Sequence, residues 1–188
     1  MKKALLIFLL MISMLVYIGY RVMAPEKDTS TNISSYGEYL GEDGKHKNDI
    51  FPYSIPTSAK IEDFCYYYYN SLDPNYVSYL VYSCNDKDYM KETERLSKLH
   101  SSEDYLIYGT TGFNYPICAV YADGYKGYIY ALADKENNRL IYVEINFCNY
   151  FSDINYENII DKKYLPIDFN AKSGNPTRQA YEKNNTFK

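Results

Sequence analysis

The chain has 188 residues, a formal net charge of -4 and a pI of 5.2, so it offers no cationic surface to a phosphate backbone. We therefore expect no nucleic-acid partner. The mean hydropathy of -0.46 includes a strongly apolar start, which leaves a water-facing remainder with no second membrane span.

Tyrosine is the compositional outlier, with 25 copies beside 8 phenylalanines and no tryptophan. One interpretation is an aromatic surface on which a ligand such as a cell-wall glycan stacks, since tyrosine gives a large contact area at low entropic cost. The other is structural, because tyrosine favours strands. Lysine, asparagine, isoleucine and tyrosine also share AT-rich codons, so base composition supplies part of the surplus. We favour the structural interpretation.

Residues 1–24 predict a transmembrane anchor or signal segment. Lys2 and Lys3 precede an uncharged run over residues 4–20, which Arg21 ends. A helix of that length reaches about 25 Å, against the ~30 Å hydrocarbon core of a bilayer. Arg21 can snorkel, and Tyr17 and Tyr20 suit the outer interface. We expect an uncleaved helix with its amino terminus inside and the remaining chain outside the cell membrane.

A cleaved secretory signal is the alternative for this segment. Val22 and Ala24 fit a small-residue cleavage pattern loosely, but Pro25 would then occupy the first mature position. We expect that proline to block cleavage. If cleavage occurs, the protein is secreted instead of anchored.

Residues 25–49 are rich in serine, threonine, glycine, aspartate and lysine and have little apolar periodicity. This composition predicts a flexible tether between membrane and folded domain. His46 lies in this stretch, so we expect it to be poorly placed for catalysis.

Residues 50–169 predict one domain. Strands are expected at 61–69 and 76–84, with turn residues between them, which indicates an antiparallel hairpin. Alternation places Phe64, Tyr66 and Tyr68 on one face of the first strand, although the run of tyrosines at 66–69 does not say which face is exposed.

A helix is expected from Asp86 to Leu99, with Asn85 as its N-cap. Its predicted inner face holds Tyr89, Thr93, Leu96 and Leu99, with Met90 as a further candidate. Its predicted water-facing side holds Lys87, Lys91, Glu94, Arg95 and Lys98.

Further strands are expected at 105–108, 117–122, 128–133 and 139–147, with a short helix at 153–161. In the last strand the predicted inward residues are Ile141, Val143, Ile145 and Phe147, and the predicted outward ones are Tyr142, Glu144 and Asn146. Residues 170–188 predict a polar, fraying tail. The fold class is α+β: an antiparallel β-sheet with one main helix packed on a face, preceded by an N-terminal transmembrane helix.

Four cysteines, Cys65, Cys84, Cys118 and Cys148, are spread over the predicted strands. In an exported domain an even number permits two disulfides with three connectivities. Each cysteine also lies in or beside an apolar stretch, so buried free thiols remain an alternative. The spacing contains no C-x-x-C pair, which argues against a zinc or redox motif.

Candidate catalytic residues are few. His100 follows the predicted helix, where an imidazolium suits the helix dipole, and a Cys–His pair with it is the less favoured interpretation. The acidic pairs at 62–63 and 103–104 fit solvated strand edges better than a glycosidase pair. Residues 134–138 fit a plain turn better than a calcium loop. We therefore name no catalytic, cofactor-binding or metal-binding residue and expect no cofactor.

Several short motifs resemble small anchored or exported proteins of low-GC Gram-positive bacteria. They are Phe51-Pro-x-x-Ile-Pro-x-x-Ala59, the strand containing Tyr79-Leu80, and Ala133-Asp-Lys-Glu-Asn-Asn-Arg-Leu-Ile-Tyr142. The resemblance covers residues 51–150 and implies an extracytoplasmic, membrane-attached domain. It implies no activity and no site residues.

The sequence thus predicts a non-catalytic, membrane-tethered domain that binds a cell-envelope ligand or a protein partner. One alternative is an envelope hydrolase that uses carboxylates. Another is a structural or assembly component that pairs through a sheet edge.

Overall fold

Six strands form one antiparallel sheet in the computed structural model of this chain. The structure describes residues 2–24, 26–70, 74–146, 155–172 and 174–185, without the side chains of residues 2–6, 22–23, 181–182 and 185. The strands are β1 (Glu26–Ser30), β2 (Lys60–Asn70), β3 (Pro74–Ser83), β4 (Ile117–Asp123), β5 (Gly127–Asp134) and β6 (Arg139–Asn146). Their order across the sheet is β1-β2-β3-β6-β5-β4, and every neighbouring pair is antiparallel.

The described α-helices are α1 (Lys2–Met23), α2 (Tyr36–Tyr39), α3 (Asp86–Ser97) and α4 (Pro176–Asn185). Asn85 caps α3 as predicted, because its side-chain oxygen accepts a 2.8 Å hydrogen bond from the Asp88 amide. Tyr89 and Leu96 are buried on the inner side of α3. The predicted α+β class with an antiparallel sheet is confirmed.

The predicted hairpin is β2–β3, with Tyr66 opposite Ser78 and Tyr68 opposite Tyr76. Phe64, Tyr66 and Tyr68 are all buried and share one face of β2, as the alternation predicted. This face of the sheet, which we call the helix face, is covered by α2, by α3 and by Ile50 and Phe51.

The prediction that β6 has one exposed face is wrong. Tyr142 and Glu144 were expected to face water, yet both are buried on the helix face. Ile141, Val143 and Ile145 are buried on the opposite face beneath Tyr108, Tyr156 and Tyr164. Because both faces of this central strand are covered, alternating positions along β6 are buried alike. Phe147 lies outside the described residues.

A strand predicted at 105–108 is also absent: the structure forms a loop there, and Tyr108 has a positive φ of 55°. This loop packs on the face of the sheet opposite the helix face and adds no strand to the sheet. The Tyr108 hydroxyl donates to the Gly124 carbonyl oxygen at 2.7 Å. Within the predicted helix at 153–161 the described part is a 3-10 turn, Tyr156–Asn158.

The stretch predicted as a flexible tether belongs to the folded domain. β1 pairs with β2 along its whole length, from Glu26 opposite Asn70 to Ser30 opposite Tyr66. Tyr36 and Tyr39 of α2 are buried, and the Tyr39 ring stacks on Tyr66 with 4.0 Å between ring centroids. These two tyrosines, three residues apart, supply the apolar surface that packs on the sheet. The polar composition of the stretch gave no indication of that surface.

The predicted fraying tail contains α4 and is tied to the domain. The Thr177 hydroxyl accepts a 3.0 Å hydrogen bond from the Tyr108 amide, and Ala171 and Arg178 are buried. A short polar segment is therefore ordered by contacts with a distant loop.

Helix α1 forms where the apolar run predicted it. From Ile7 to Tyr20 its large apolar side chains are 41–70 % exposed, without a buried stripe. In the part of the chain that the structure describes, no helix combines the length and apolarity needed to cross a membrane. The predicted span is thus not confirmed.

Candidate functional site

A cleft of 280 Å³ lies between α3 and the segment that leads into β2. One wall contains Pro52, Tyr53, Ser54 and Pro56; the other contains Asp88, Lys91, Glu92 and Arg95, with Tyr82 at the floor. Spacings of three and four residues put the four α3 side chains on one side of that helix. The cleft therefore combines an aromatic and proline wall with a charged wall.

The charged wall is organised by one ion pair. Arg95 donates from Nε to Oε2 of Glu92 at 2.9 Å and from Nη2 to Oε1 at 2.7 Å. The same guanidinium donates to the carbonyl oxygens of Asp49 at 2.6 Å and Ile50 at 2.7 Å. Arg95 thereby joins the two walls and fixes the width of the cleft.

Glu92 is held from below as well. The Tyr142 hydroxyl donates to its Oε1 at 2.8 Å and lies 3.3 Å from the Tyr82 hydroxyl. Burial raises the pKa of Tyr82, so both phenols stay neutral donors. Arg95 was predicted to face water; it is half-buried because its guanidinium lies against Glu92 and the two backbone carbonyl oxygens.

Tyr53 gives the cleft its exposed aromatic ring. Its side chain is 45 % exposed, and its hydroxyl donates to Oδ1 of Asp49 at 3.0 Å. The Tyr53 carbonyl oxygen accepts from the Glu42 amide at 3.0 Å. With its backbone and hydroxyl held, the ring presents a fixed face to a ligand. The lining residues include no histidine or cysteine, and their arrangement suits binding of a small polar ligand.

A second polar cluster lies inside the helix face, around Glu144. This glutamate is 5 % exposed, and burial raises its pKa to about 7. Ser78 on the neighbouring strand donates to Oε2 of Glu144 at 2.9 Å. Opposite Ser78 on β2 lies Tyr66, whose buried hydroxyl has no hydrogen-bond partner among the described residues.

His46 borders this cluster, contrary to its predicted place in a tether. Its ring lies 4.9 Å from the centroids of both Tyr68 and Tyr76 and 5.9 Å from that of Tyr66. Partial burial lowers its pKa, as does the nearby charge of Lys45. His46 therefore covers the tyrosines as a neutral ring.

No sequence signal identified Glu144, because strand alternation assigned it to the solvent. The sequence did contain a signal for the cleft: Glu92 and Arg95 lie three residues apart on the predicted helix, a spacing that favours an ion pair.

The residues considered for catalysis do not converge. His100 is exposed at the end of α3. Glu62 and Asp134 both accept hydrogen bonds from Arg139, at 2.8 Å each, which ties β2 to the β5–β6 turn. Asp63, Glu103 and Asp104 are exposed. Asp134 also accepts from the Asn137 amide nitrogens, as expected of a plain turn. Over the described residues, no group of side chains is arranged to hold a metal ion.

Cys65, Cys84 and Cys118 are free, half-buried thiols. Cys148 lies outside the described residues. Two disulfides among four cysteines would require one bridge between two of these three, and none is present. The structure therefore disagrees with the two-disulfide prediction and agrees with the alternative of buried free thiols. Burial raises the pKa of all three, in Cys84 to about 11, which makes them poor nucleophiles.

Most described tyrosines of the folded body are packed into its core, as the structural interpretation of their number predicted. Among the tyrosines whose side chains are described there, Tyr53 and Tyr121 are exposed, each with 45 % of its surface in solvent. An extended aromatic binding surface is therefore not present in the described part of the chain.

Comparison with known proteins adds no family: no protein-family model, curated protein or solved structure matches this chain. The resemblance to small exported proteins of low-GC Gram-positive bacteria stays a prediction.

Proposed function

We propose that this protein is a non-catalytic extracytoplasmic domain, attached to the cell membrane by α1, that binds a polar ligand of the cell envelope. The observation that carries the proposal is the exposure of α1. Its apolar side chains from Ile7 to Tyr20 have no partner surface in the described chain. An exposed apolar surface of this extent is typical of membrane or protein contact.

The charges flanking α1 support the direction of attachment. Lys2 and Lys3 lie at the amino-terminal end of α1 beside the terminal amine, while Arg21 lies in its last turn and Lys27 follows it. This small excess of positive groups on the amino-terminal side favours an inside amino terminus and an outside domain. Release of the domain by cleavage before Pro25 is the alternative, and it leaves the outside location unchanged.

The cleft beside Tyr53 is the ligand site that we propose. A tyrosine face and two prolines offer apolar contact, while Asp88 and Lys91 offer a carboxylate and an ammonium group. Pockets for small ligands commonly combine an apolar wall with a few oriented polar groups. A saccharide unit of the envelope fits this combination, because sugars present both apolar ring faces and hydroxyl groups.

Membrane attachment is tested with two methionines of matched exposure. Met14 in α1 is 65 % exposed and Met90 on α3 is 68 % exposed. A central arginine in a membrane helix costs about 2.5–3.5 kcal/mol. We expect Met14→Arg to move the protein from the membrane to the soluble fraction of cells, whereas Met90→Arg leaves it in the membrane. Equal behaviour of the two variants would refute attachment through α1.

Ligand binding is tested with two tyrosines of equal exposure. Soluble glycan fragments of the cell wall are titrated into the full chain in detergent, and binding is followed by calorimetry. Tyr53→Ala removes the stacking ring of the cleft and should abolish binding, while Tyr121→Ala on β4 should leave it unchanged. Equal loss in both variants, or no binding to the unsubstituted chain, argues against the cleft as a glycan site.

The alternatives have less support. The outer edge of β4 is occupied by residues Ser101 and Ser102, whose hydroxyls accept from the Val120 and Ala122 amides. β1 is short and charged, a device by which native proteins avoid edge pairing. A hydrolase would need its acid to meet a substrate, and Glu144 is only 5 % exposed.

A further inference from the structure

We propose that one end of the sheet, carrying the β4–β5 turn, the end of β2 and the start of β3, faces the lipid surface. We call it the α1 end, defined by Glu26, Asn70, Pro74 and residues 123–127. The inference rests on the proposed attachment of α1 and adds which surface of the domain meets the headgroups.

The chain connection places this end near the membrane. α1 ends at Met23 and β1 begins at Glu26. Consecutive Cα atoms are 3.8 Å apart, so these two Cα atoms lie within about 11 Å of each other. Because residues 26–49 are part of the fold and form no tether, the domain cannot move far from the point where α1 leaves the bilayer.

The strand register shows what else lies at this end. Glu26 pairs with Asn70, where β2 finishes, and Asn70 pairs with Pro74, where β3 starts. Across the sheet, Asn146 pairs with both Tyr76 and Gly127, so β6 ends and β5 begins at the same level. The end of β2, the start of β3 and the β4–β5 turn therefore lie at the end of the sheet where α1 joins β1.

The side chains at the α1 end suit a lipid headgroup region. Lys126 is exposed in the β4–β5 turn, and Lys27 is exposed with its ammonium 5.5 Å from the centre of the Tyr67 ring. The Asp123 carboxylate accepts hydrogen bonds from the Tyr125 and Lys126 amides at 2.8 Å and thereby stabilises the β4–β5 turn. Cations attract anionic headgroups, and tyrosine is enriched at membrane interfaces.

The opposite end of the sheet lies farther from α1, because Glu26 pairs with the last residue of β2 and not with its first. The start of β2 there exposes Lys60 beside Glu62 and Asp63, and the β5–β6 turn exposes Lys135 beside Glu136. Both ends carry charges of both signs, since Glu26 is exposed at the α1 end. The chain connection to α1, and not the net charge, therefore favours the α1 end as the lipid-facing one.

Two exposed lysines at opposite ends of β5 allow a matched test. Lys126→Cys and Lys135→Cys variants of the full chain are labelled with one fluorophore and placed in vesicles of phosphatidylcholine and phosphatidylglycerol that carry a headgroup nitroxide quencher. The label on the unsubstituted chain measures the background from its own cysteines. The two labels are separated by about 25 Å along the strand.

We expect quenching at position 126 to exceed that at position 135 several-fold. Equal quenching, which a sheet lying flat on the membrane would give, or stronger quenching at position 135 would overturn the orientation. If the protein still floats with the vesicles in that case, its attachment to the membrane stands. Failure to float would overturn the attachment and the orientation together.

Discussion

The Ser78 hydroxyl donates a 2.9 Å hydrogen bond to Oε2 of Glu144 between neighbouring central strands of the sheet. Both side chains are buried, and this bond is the contact that favours the ionised form of Glu144. One hydroxyl does not replace the lost hydration of a carboxylate. The folded protein therefore holds a proton on Glu144 up to about pH 7, where an exposed glutamate would be ionised.

Glu144→Gln should stabilise the protein at pH 8 and have little effect at pH 4. The pKa of Glu144 is raised from 4.5 to about 7 by burial. Between those values the folded state keeps a proton that the unfolded state has released, so the free energy of unfolding falls as pH rises through the window. The loss is nearly complete above about pH 7 and amounts to about 3–4 kcal/mol at most, at ~1.4 kcal/mol per pKa unit.

Urea unfolding of both proteins from pH 4 to 8 measures this difference. Glu136→Gln, in the exposed β5–β6 turn, is the control and should give a constant difference from the unsubstituted chain. A Glu144→Gln effect that does not vary with pH would mean that the carboxyl ionises normally in the fold.

Tyr66→Phe and Tyr130→Phe should have opposite consequences. The Tyr66 hydroxyl is buried without a partner among the described residues, so its removal should be neutral or stabilising. The Tyr130 hydroxyl donates to the Tyr164 carbonyl oxygen at 2.8 Å in the opposite layer. Losing that donor leaves a buried acceptor unpaired and should cost about 1–3 kcal/mol. Thermal unfolding of the two variants decides, and a destabilised Tyr66→Phe protein would indicate a partner for that phenol.

Arg95→Ala should destabilise the protein by about 1–3 kcal/mol, because it leaves Glu92 and two carbonyl oxygens without their shared donor. Lys91→Ala, on the adjacent turn of α3 and exposed, is the control and should change the free energy of unfolding by less than about 0.5 kcal/mol. Guanidinium unfolding measures both. Equal small effects would show that the two cleft walls are held together by other contacts.

The thiols of Cys65, Cys84 and Cys118 should react slowly with iodoacetamide in the native protein at pH 8. Burial raises the pKa of each, so little thiolate is present. A Cys148→Ser background limits the reaction to these three. Intact-mass measurements should show three alkylated thiols only after unfolding. A mass that shows a disulfide before reduction would contradict the free-thiol arrangement.

Local signals in the sequence were sufficient to predict the elements that have a clear hydrophobic period or that are bounded by turn and capping residues. β2, β3, β5 and β6 alternate between turn residues, and α3 follows an asparagine cap, so these elements formed close to their predicted bounds. The prediction of a tether over residues 25–49 was wrong because this stretch contains few apolar residues, and two tyrosines do not form a recognisable period. Tyr36 and Tyr39 become core residues only through their packing on Phe64 and Tyr66.

The cleft and the buried acid could not be predicted from the chain order. Glu92 and Arg95 are neighbours in sequence, but the Asp49 and Ile50 carbonyl oxygens that complete their site arrive from more than 40 residues away. Glu144 occupies a strand position whose exposure depends on whether a second layer covers that face. Alternation specifies which residues share a face of a strand; what covers the face is decided by long-range packing.

The apolar run at the amino terminus, the acidic composition and the periodic strands thus follow from residue chemistry alone, because helix formation, charge and strand alternation are local properties. Tertiary structure decided that β1 lies directly after α1, that the tyrosines are core residues, and that Glu144 is enclosed. Each of these depends on surfaces that meet only when distant segments pack together, where burial changes both the exposure and the protonation of a side chain.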